Sequence, residues 1–279
     1  MISIIVSSYQ DEFFNDFNNS IIETIGEGVI YEVIKIDNPG KYSISEAYNL
    51  GIYKSKYDNL LFIHEDLTFI VKNWGKILID YLKNKELGVV GIAGSTYIPN
   101  TPLGWSGLIE CSYKNLIQSN KFKDNYVEFS LDKDIYGKSL DGVFLACRKD
   151  IALKYKFEEN LSKFHCYDFV FSNRVSKDYK NLISSKIKLV HFSKGNRNNE
   201  WMDSLIKSRS FYEIGKQKNI LKYEIKAYYY YGMRLNQYGY SNSFIIKELI
   251  KYNQFNKLYL FGYPILFIVL FKIWFKKYK

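Results

Sequence analysis

The chain has 279 residues, of which 47% are hydrophobic and 18% aromatic, with 39 Lys and Arg against 29 Asp and Glu. That length suits one large α/β domain, or one domain with a small appendage, and the apolar content excludes a disordered chain. The positive excess is confined to one end: residues 201–279 hold 14 Lys or Arg and 4 Asp or Glu, whereas the first 200 residues are balanced at 25 of each. A neutral front and a basic end point to chemistry first and attachment to something anionic second; no nucleic-acid motif accompanies the basic end, which argues against a nucleic-acid partner.

In chain order, Ile2–Ser7 reads as a first buried strand, since the N-terminus lacks the basic region and length of a signal peptide; the catalytic part is expected in the cytoplasm. Phe13, Phe17, Ile21 and Ile25 recur at helical spacing. Val29–Ile36 is a second strand, closed by the turn Asp37-Asn38-Pro39-Gly40, and Ser43-x-x-Glu46 matches a capping box that opens a helix through Tyr53. Asn59–Ile63 is a third strand ending at His64-Glu65-Asp66, Trp74–Leu82 a helix, and Leu87–Ala93 a fourth strand. Strand and helix alternating with short links predict a mostly parallel sheet covered on both faces, with ligands beyond the carboxyl ends of the strands. Residues 94–139 read as irregular, either a lid or a hairpin insertion. Strands are then expected over Leu140–Cys147 and over Leu182–Val190, with a helix over His165–Ser176 between them and only helices beyond Trp201. Cys111, Cys147 and Cys166 have neither the number nor the spacing of a disulfide framework or a zinc site, and read as reduced thiols.

Each of the three histidines sits in a stretch that could carry chemistry. A buried strand ending in Glu65-Asp66 places carboxylates at the sheet edge, where a divalent cation bridging a diphosphate would be held; a solvated acidic turn is the plain alternative. His165 and Asp168 are three apart on the expected helix and could address one hydroxyl, although a first-turn carboxylate that merely offsets the helix dipole reads the same. His191, at a strand end, suits a metal ligand or a hydrogen-bonded structural residue.

Taken together and in order, these stretches resemble the family 2 type of nucleotide-sugar glycosyltransferases, and within it a bacterial branch whose acidic motif is preceded by His. Ser3-Ile4-Ile5-Val6-Ser7-Ser8-Tyr9 is similar to the family's opening strand, Ala47-Tyr48-Asn49-Leu50-Gly51 to its A-x-N-x-G segment, and His64-Glu65-Asp66 to its D-x-D metal motif. Leu140-Asp141-Gly142-Val143-Phe144 resembles the D-G-x-F strand of the acceptor side. Phe164-His165-x-Tyr167-Asp168 resembles the segment of the catalytic Asp, and His191-x-Ser193-x-Gly195 the late metal-site His. The resemblance covers roughly residues 1–197. It departs from the pattern where His64 replaces the first Asp of D-x-D and where Tyr167-Asp168 replaces a Glu-Asp pair.

The resemblance implies the GT-A fold and an inverting transfer from a nucleotide-sugar, with a UDP-sugar as the expected donor. It places Ser7 and Tyr9 against the base or ribose, Asp37 and Asn38 at the uracil, and Asn49 and Glu65 on the donor side. Asp66 and His191 are the implied ligands of Mn²⁺ or Mg²⁺, with imidazole favouring Mn²⁺. Asp168 is the implied general base, and Asp141, His165 and Trp105 are acceptor or sugar contacts. The implied acceptor is a glycan or lipid-linked glycan in bacterial surface polysaccharide assembly. A non-catalytic nucleotide- or sugar-binding relative is the competing reading, while a nucleotidyltransferase would want a Gly-rich phosphate loop that Ser7–Glu12 lacks.

The expected division is a catalytic domain over 1–200 and a helical basic, aromatic region over 201–279. Leu258–Phe271 carries no charge and is followed by Lys272, Lys276, Lys277 and Lys279. Its 14 positions fall short of the roughly 20 needed to span a bilayer, and an interfacial helix on an anionic membrane surface is expected, with docking on the chain's own core or on a second subunit as the alternatives. The sequence leaves the oligomeric state open.

Overall fold

A computed structural model describes residues 1–120, 123–161, 164–193, 197–253 and 262–276. In chain order the elements are β1 (Ile2–Ser8), α1 (Asp11–Thr24), β2 (Tyr31–Asp37), α2 (Ile44–Lys54), β3 (Asn59–Ile63), β4 (Leu67–Phe69), α3 (Trp74–Lys83), β5 (Leu87–Gly91) and β6 (Ala93–Ser95). There follow β7 (Ser112–Lys114), β8 (Leu116–Asn120), β9 (Lys123–Phe129), β10 (Ile135–Gly137), β11 (Ser139–Leu140), β12 (Phe144–Arg148), α4 (Lys149–Tyr155), α5 (Tyr167–Val175), β13 (Lys180–Ile183) and β14 (Leu189–His191). The chain continues through α6 (Asn199–Ser208), α7 (Leu221–Gln237), α8 (Asn242–Lys251) and α9 (Gly262–Lys276).

The main sheet has the order β10-β13-β5-β12-β3-β1-β2. β1 pairs in parallel with β2 and β3, and β5 with β13; β12 runs antiparallel between β3 and β5, and β10 antiparallel at the edge. The mostly parallel sheet expected from the alternation of strands and helices is therefore present, with helices on both faces. Successive side chains of a strand point to opposite faces. Ile4, Val6, Leu61, Ile63 and Val90 accordingly pack on Phe17 and Ile21 of α1 and Trp74 and Leu78 of α3. Ile5, Leu60, Phe62, Val89 and Leu145 face Tyr48 and Ile52 of α2, Ile151 of α4 and Phe171 of α5. The capping box at the start of α2 is formed: the Ser43 N–H donates to Glu46 Oε2 at 2.7 Å and the Glu46 N–H to Ser43 Oγ at 3.1 Å.

Three strand expectations are corrected. The apolar run 182–190 is two strands in different sheets: β13 ends at Ile183, the Ser184-Ser185 break follows, and β14 joins a second sheet of order β4-β14-β8-β9. Leu87–Ala93 likewise divides at Ile92 into β5 and β6, and Leu140–Cys147 divides around Asp141-Gly142-Val143 into β11 and β12. Residues 94–139, read as a lid or a hairpin insertion, contain the β8–β9 hairpin, together with short strands that pair with β11 and β13.

The helices from α6 onward share a separate apolar core. Met202 and Leu205 of α6, Tyr228 and Tyr231 of α7 and Leu249 of α8 pack against Tyr97, Leu103, Leu108, Cys111 and Cys166 of the preceding chain. All three cysteines are free and buried. Among the described residues no helix is long and apolar enough to cross a membrane. Of the uncharged stretch expected from Leu258, residues 258–261 lie outside the described residues, as do Lys277, Lys279 and Gly195.

Candidate active site

Five segment ends converge beyond the carboxyl edge of the main sheet. Residues 64–66 follow β3 and lead into β4. Because β14 pairs antiparallel with β4 in the register His191↔Leu67, His191 arrives beside Asp66, and the Phe192 N–H donates to the Asp66 carbonyl oxygen at 2.8 Å. Gln118 of β8, which flanks β14 in parallel, donates from its amide to the His191 carbonyl oxygen at 3.2 Å and holds the strand end in place.

The result is a cluster of two imidazoles and a carboxylate. Asp66 Oδ1 is 3.7 Å from His64 Nδ1 and 3.4 Å from His191 Nε2. One ligand atom from each of the three residues lies within 4.8 Å of the others. His191 Nε2 is buried and, with Asp66 Oδ1 at 3.4 Å, makes no well-aligned hydrogen bond among the described residues, a polar atom of the kind a cation would satisfy. Burial pushes the His64 pKa down against the pull of Asp66, so the imidazole is neutral and its nitrogen is available. Burial opposes the Asp66 charge, but His191 and His64 hold its carboxyl below the ordinary aspartate range. A neutral-imidazole and carboxylate set of this kind fits a divalent cation with positions left for diphosphate oxygens.

Sequence reasoning assigned Asp66 and His191 as the ligand pair and treated His64 only as a replaced Asp; the structure adds His64 as a third donor. His64 Nε2 and the Tyr167 hydroxyl oxygen are 2.7 Å apart. For Nδ1 to offer its lone pair towards Asp66 and His191, the ring proton sits on Nε2 and is donated to Tyr167, the outer hydrogen bond that fixes a metal-site tautomer. Tyr167 reaches this position over a glycine: a Cβ at Gly142 would lie 2.1 Å from the Tyr167 hydroxyl oxygen.

Asp168 follows Tyr167 in the first turn of α5. The residue before the helix, Cys166, has φ 66° in the left-handed region, a conformation costly for a side chain with a Cβ and one that recurs where a site must hold a residue in place. One Asp168 oxygen accepts the Gly142 N–H at 2.8 Å. Burial, and then the Asp141 charge, push the Asp168 carboxyl up to about 7, against backbone N–H groups of Phe169 and Gly142 that pull the other way. Asp141 is itself fixed by the Val143 N–H at 2.9 Å.

Two cavities meet at this cluster and share His64, Phe164, Tyr167 and Ser193. One, of about 500 Å³, is lined by Ser7, Tyr9, Asn38, Glu65 and Asp66. The other, of about 280 Å³, is lined by Trp105, Asp141, His165, Asp168, His191 and Trp201. Burial keeps the His165 pKa low. Trp201 and Arg197 were not singled out from the sequence; the Arg197 guanidinium lies 5.4 Å above the Trp201 ring and donates to Ser106 Oγ at 3.0 Å.

Not every residue expected at the donor side faces the larger cavity. Asn49 is buried and its amide is committed elsewhere: Nδ2 donates to the Phe157 carbonyl oxygen at 2.9 Å and to Glu159 at 2.8 Å, while Oδ1 accepts the Phe157 N–H at 2.9 Å. It ties α2 to the chain after α4. The Asp37 carboxylate is exposed and pairs with Lys35 at 3.2 Å instead of lining the cavity. Glu65 does line it, but its Oε1 also accepts the Tyr9 and Gln10 N–H groups at 3.0 and 3.2 Å, bracing the chain as it enters α1. Asn38 donates to Ser7 Oγ and to the Tyr42 carbonyl oxygen, each at 3.0 Å.

With this geometry in place, known proteins give the context. No curated protein matches the sequence. The fold is similar to a crystal structure of GalNAc-T7 with UDP, GalNAc and Mn²⁺, at TM-score 0.53 and 9% identity over 91% of this chain; the chain spans 54% of that structure's length. It is also similar to S. aureus TarS 1-349, at TM-score 0.51 and 10% identity over 90% of this chain and 80% of that one. The complex of TarS 1-349 with UDP aligns at TM-score 0.50 and 11% identity over 98% of this chain and 89% of that one. At such identities the likeness speaks for a shared fold, which the sheet order and the paired cavities already describe. The model of one sequence family matches residues 3–224, a span that takes in both cavities and every residue of the metal-ligating cluster, and the chain belongs to that glycosyltransferase-like family.

Proposed function

We propose that the chain is an inverting, metal-dependent transferase that moves a sugar from a nucleoside-diphosphate sugar to an acceptor hydroxyl. One observation carries this reading: a three-residue cation cluster stands where two cavities meet, with a carboxyl of raised pKa in only one of them. The nucleotide belongs in the larger cavity, with the exposed Tyr9 ring available to stack on the base and Ser7 and Asn38 near the ribose. Uracil is the proposed base, consistent with the UDP bound by structures of similar fold. The acceptor and the transferred sugar belong in the smaller cavity, against Trp105, Asp141 and His165.

His64, Asp66 and His191 would hold Mn²⁺ or Mg²⁺, which neutralises the charge that develops on the departing diphosphate. The acceptor oxygen forms its bond to the anomeric carbon as the bond from that carbon to the diphosphate oxygen breaks on the opposite face. Asp168 takes the acceptor's hydroxyl proton, and a carboxyl held near pH 7 is matched to that task. We place the reaction in bacterial surface polysaccharide or glycoconjugate assembly at the cytoplasmic face of the membrane, with a glycan or a lipid-linked glycan as acceptor.

Thermal shift tests this directly. The purified chain is heated with Mn²⁺ and each common nucleoside diphosphate, and again as Asp66→Ala. Stabilisation by one nucleotide that needs both the metal and Asp66 is the expected result. No shift with any nucleotide, in folded protein, would move the chain to the class of non-catalytic relatives.

A further inference from the structure

Helix α9 is apolar in sequence apart from Lys272 and Lys276, and only part of its surface is covered by the described residues. Val269 is buried, and Leu266 and Leu270 pack against the core of α7 and α8. The approach is close because Gly232 of α7 has no side chain: a Cβ there would lie 2.7 Å from Val269 Cγ1. Away from this contact, Phe267, Ile268, Phe271, Trp274 and Phe275 are between 51% and 72% exposed. Their spacing of one, three, three and one positions makes a single stripe along the helix. Five large apolar side chains in one stripe are not the scattered exposure expected of a water-facing surface.

Length and charge select what covers this stripe. The fifteen described residues make a helix of about 22 Å, shorter than the roughly 30 Å hydrocarbon core of a bilayer, a length that suits lying along an interface better than crossing it. The whole net positive charge of the chain falls in residues 201–279, and Lys272 is exposed beside the stripe, 5.0 Å above the Tyr229 ring. An apolar stripe set in a basic region matches an anionic lipid surface, to which aromatic rings contribute burial and lysines contribute attraction.

We infer that the solvent-facing stripe of α9 docks the protein in the plane of an anionic bilayer. This extends the proposed action on a membrane-borne acceptor, but its test needs no transfer activity, so either reading can fail alone. The full chain is floated with vesicles of phosphatidylcholine alone or containing a third phosphatidylglycerol, at low and high salt. The protein is expected to partition onto the anionic vesicles at least tenfold more strongly at low salt, order-of-magnitude figures for a basic interfacial helix. Phe267→Ser/Phe271→Ser/Trp274→Ser should lower that partitioning on the order of a hundredfold while leaving the unfolding temperature close to wild type, since none of the three side chains is buried. Because a triple variant could lose stability, single Phe271→Ser and Trp274→Ser variants are measured alongside, each expected to weaken partitioning severalfold. Folded wild-type protein that ignores anionic vesicles would overturn the inference, and so would partitioning that the variants leave unchanged. A dimer in solution that the triple variant dissociates would overturn it too, by assigning the stripe to a second copy of the chain.

Discussion

Asp168→Asn separates what this carboxyl does for turnover from what it costs the fold. The change removes a charge and keeps the shape, and the amide oxygen can still accept the Gly142 N–H that now reaches Asp168 at 2.8 Å. In the native protein the carboxyl is pushed up to about 7, first by burial and then by Asp141, from the ~3.9 of an unfolded aspartate. A folded pKa above the unfolded one means that ionisation opposes folding. The penalty is absent below about pH 4, grows between about pH 4 and pH 7, and is complete above. Three pH units at ~1.36 kcal/mol each would give ~4 kcal/mol. The side chain opens on a solvated cleft, so about 1–2 kcal/mol is the realistic figure. For a chain of this size that is about 2–6 °C in Tm. Calorimetry in metal-free buffer should therefore find Asp168→Asn more stable than wild type at pH 8, with the gain shrinking towards zero as the pH falls from 7 to 4. The same variant should lose roughly a hundredfold or more in turnover, the ordinary contribution of a general base. A variant that is less stable at pH 8, or equally shifted at every pH, would refute the account of the carboxyl's environment; near-normal turnover would remove Asp168 from the role of base.

Two further substitutions probe the site's scaffolding. Tyr167→Phe deletes the hydroxyl 2.7 Å from His64 Nε2 and should weaken Mn²⁺ binding about 10–100-fold, the usual effect of losing such an outer hydrogen bond; titration calorimetry that finds unchanged affinity would mean that His64 is oriented by something else. Asn49→Ala removes two buried hydrogen bonds to Phe157 and a partly buried one to Glu159 and should cost about 2–4 kcal/mol in denaturant unfolding while nucleotide affinity stays within a factor of two or three. A large loss of nucleotide binding by the folded variant would return Asn49 to the donor side.

Local pattern carried the fold well where each element announces its own ends. The first three strands, the Ser43–Glu46 cap and the helix over Trp74–Lys83 are all visible in spacing and turn chemistry. Reading failed where an apolar run crosses from one sheet to another. Ser184-Ser185 was the available signal inside 182–190, and Gly91 inside 87–93, but neither tells which sheet receives the second half. The site shows the same limit. Asp66 and His191 could be picked out as types of residue in plausible places, yet their meeting depends on β14 pairing with β4, 124 residues apart at the register pair Leu67–His191. His64 and Tyr167, the two positions that break the family pattern, are 103 residues apart and touch; from sequence they are two unrelated exceptions, in space they are one arrangement. Asn49 shows the converse, since a motif position expected on the donor side has its amide spent on joining two parts of the scaffold.

The shared core around α6 bears on how such an enzyme could be divided. Trp201 and Leu205 wall the smaller cavity, and Met202 and Leu205 pack in the same cluster as Cys166, the strained residue immediately ahead of Tyr167 and Asp168. A cut near residue 200 would therefore uncover the back of α5 along with one wall of the smaller cavity. The irregular stretch between α6 and α7 is no freer: Tyr212 is buried against Ile98, Phe169 and Val170, and the Gln217 amide exchanges hydrogen bonds with the Ile98 backbone. A junction drawn where the charge changes along the sequence would therefore cut through packing that both sides share.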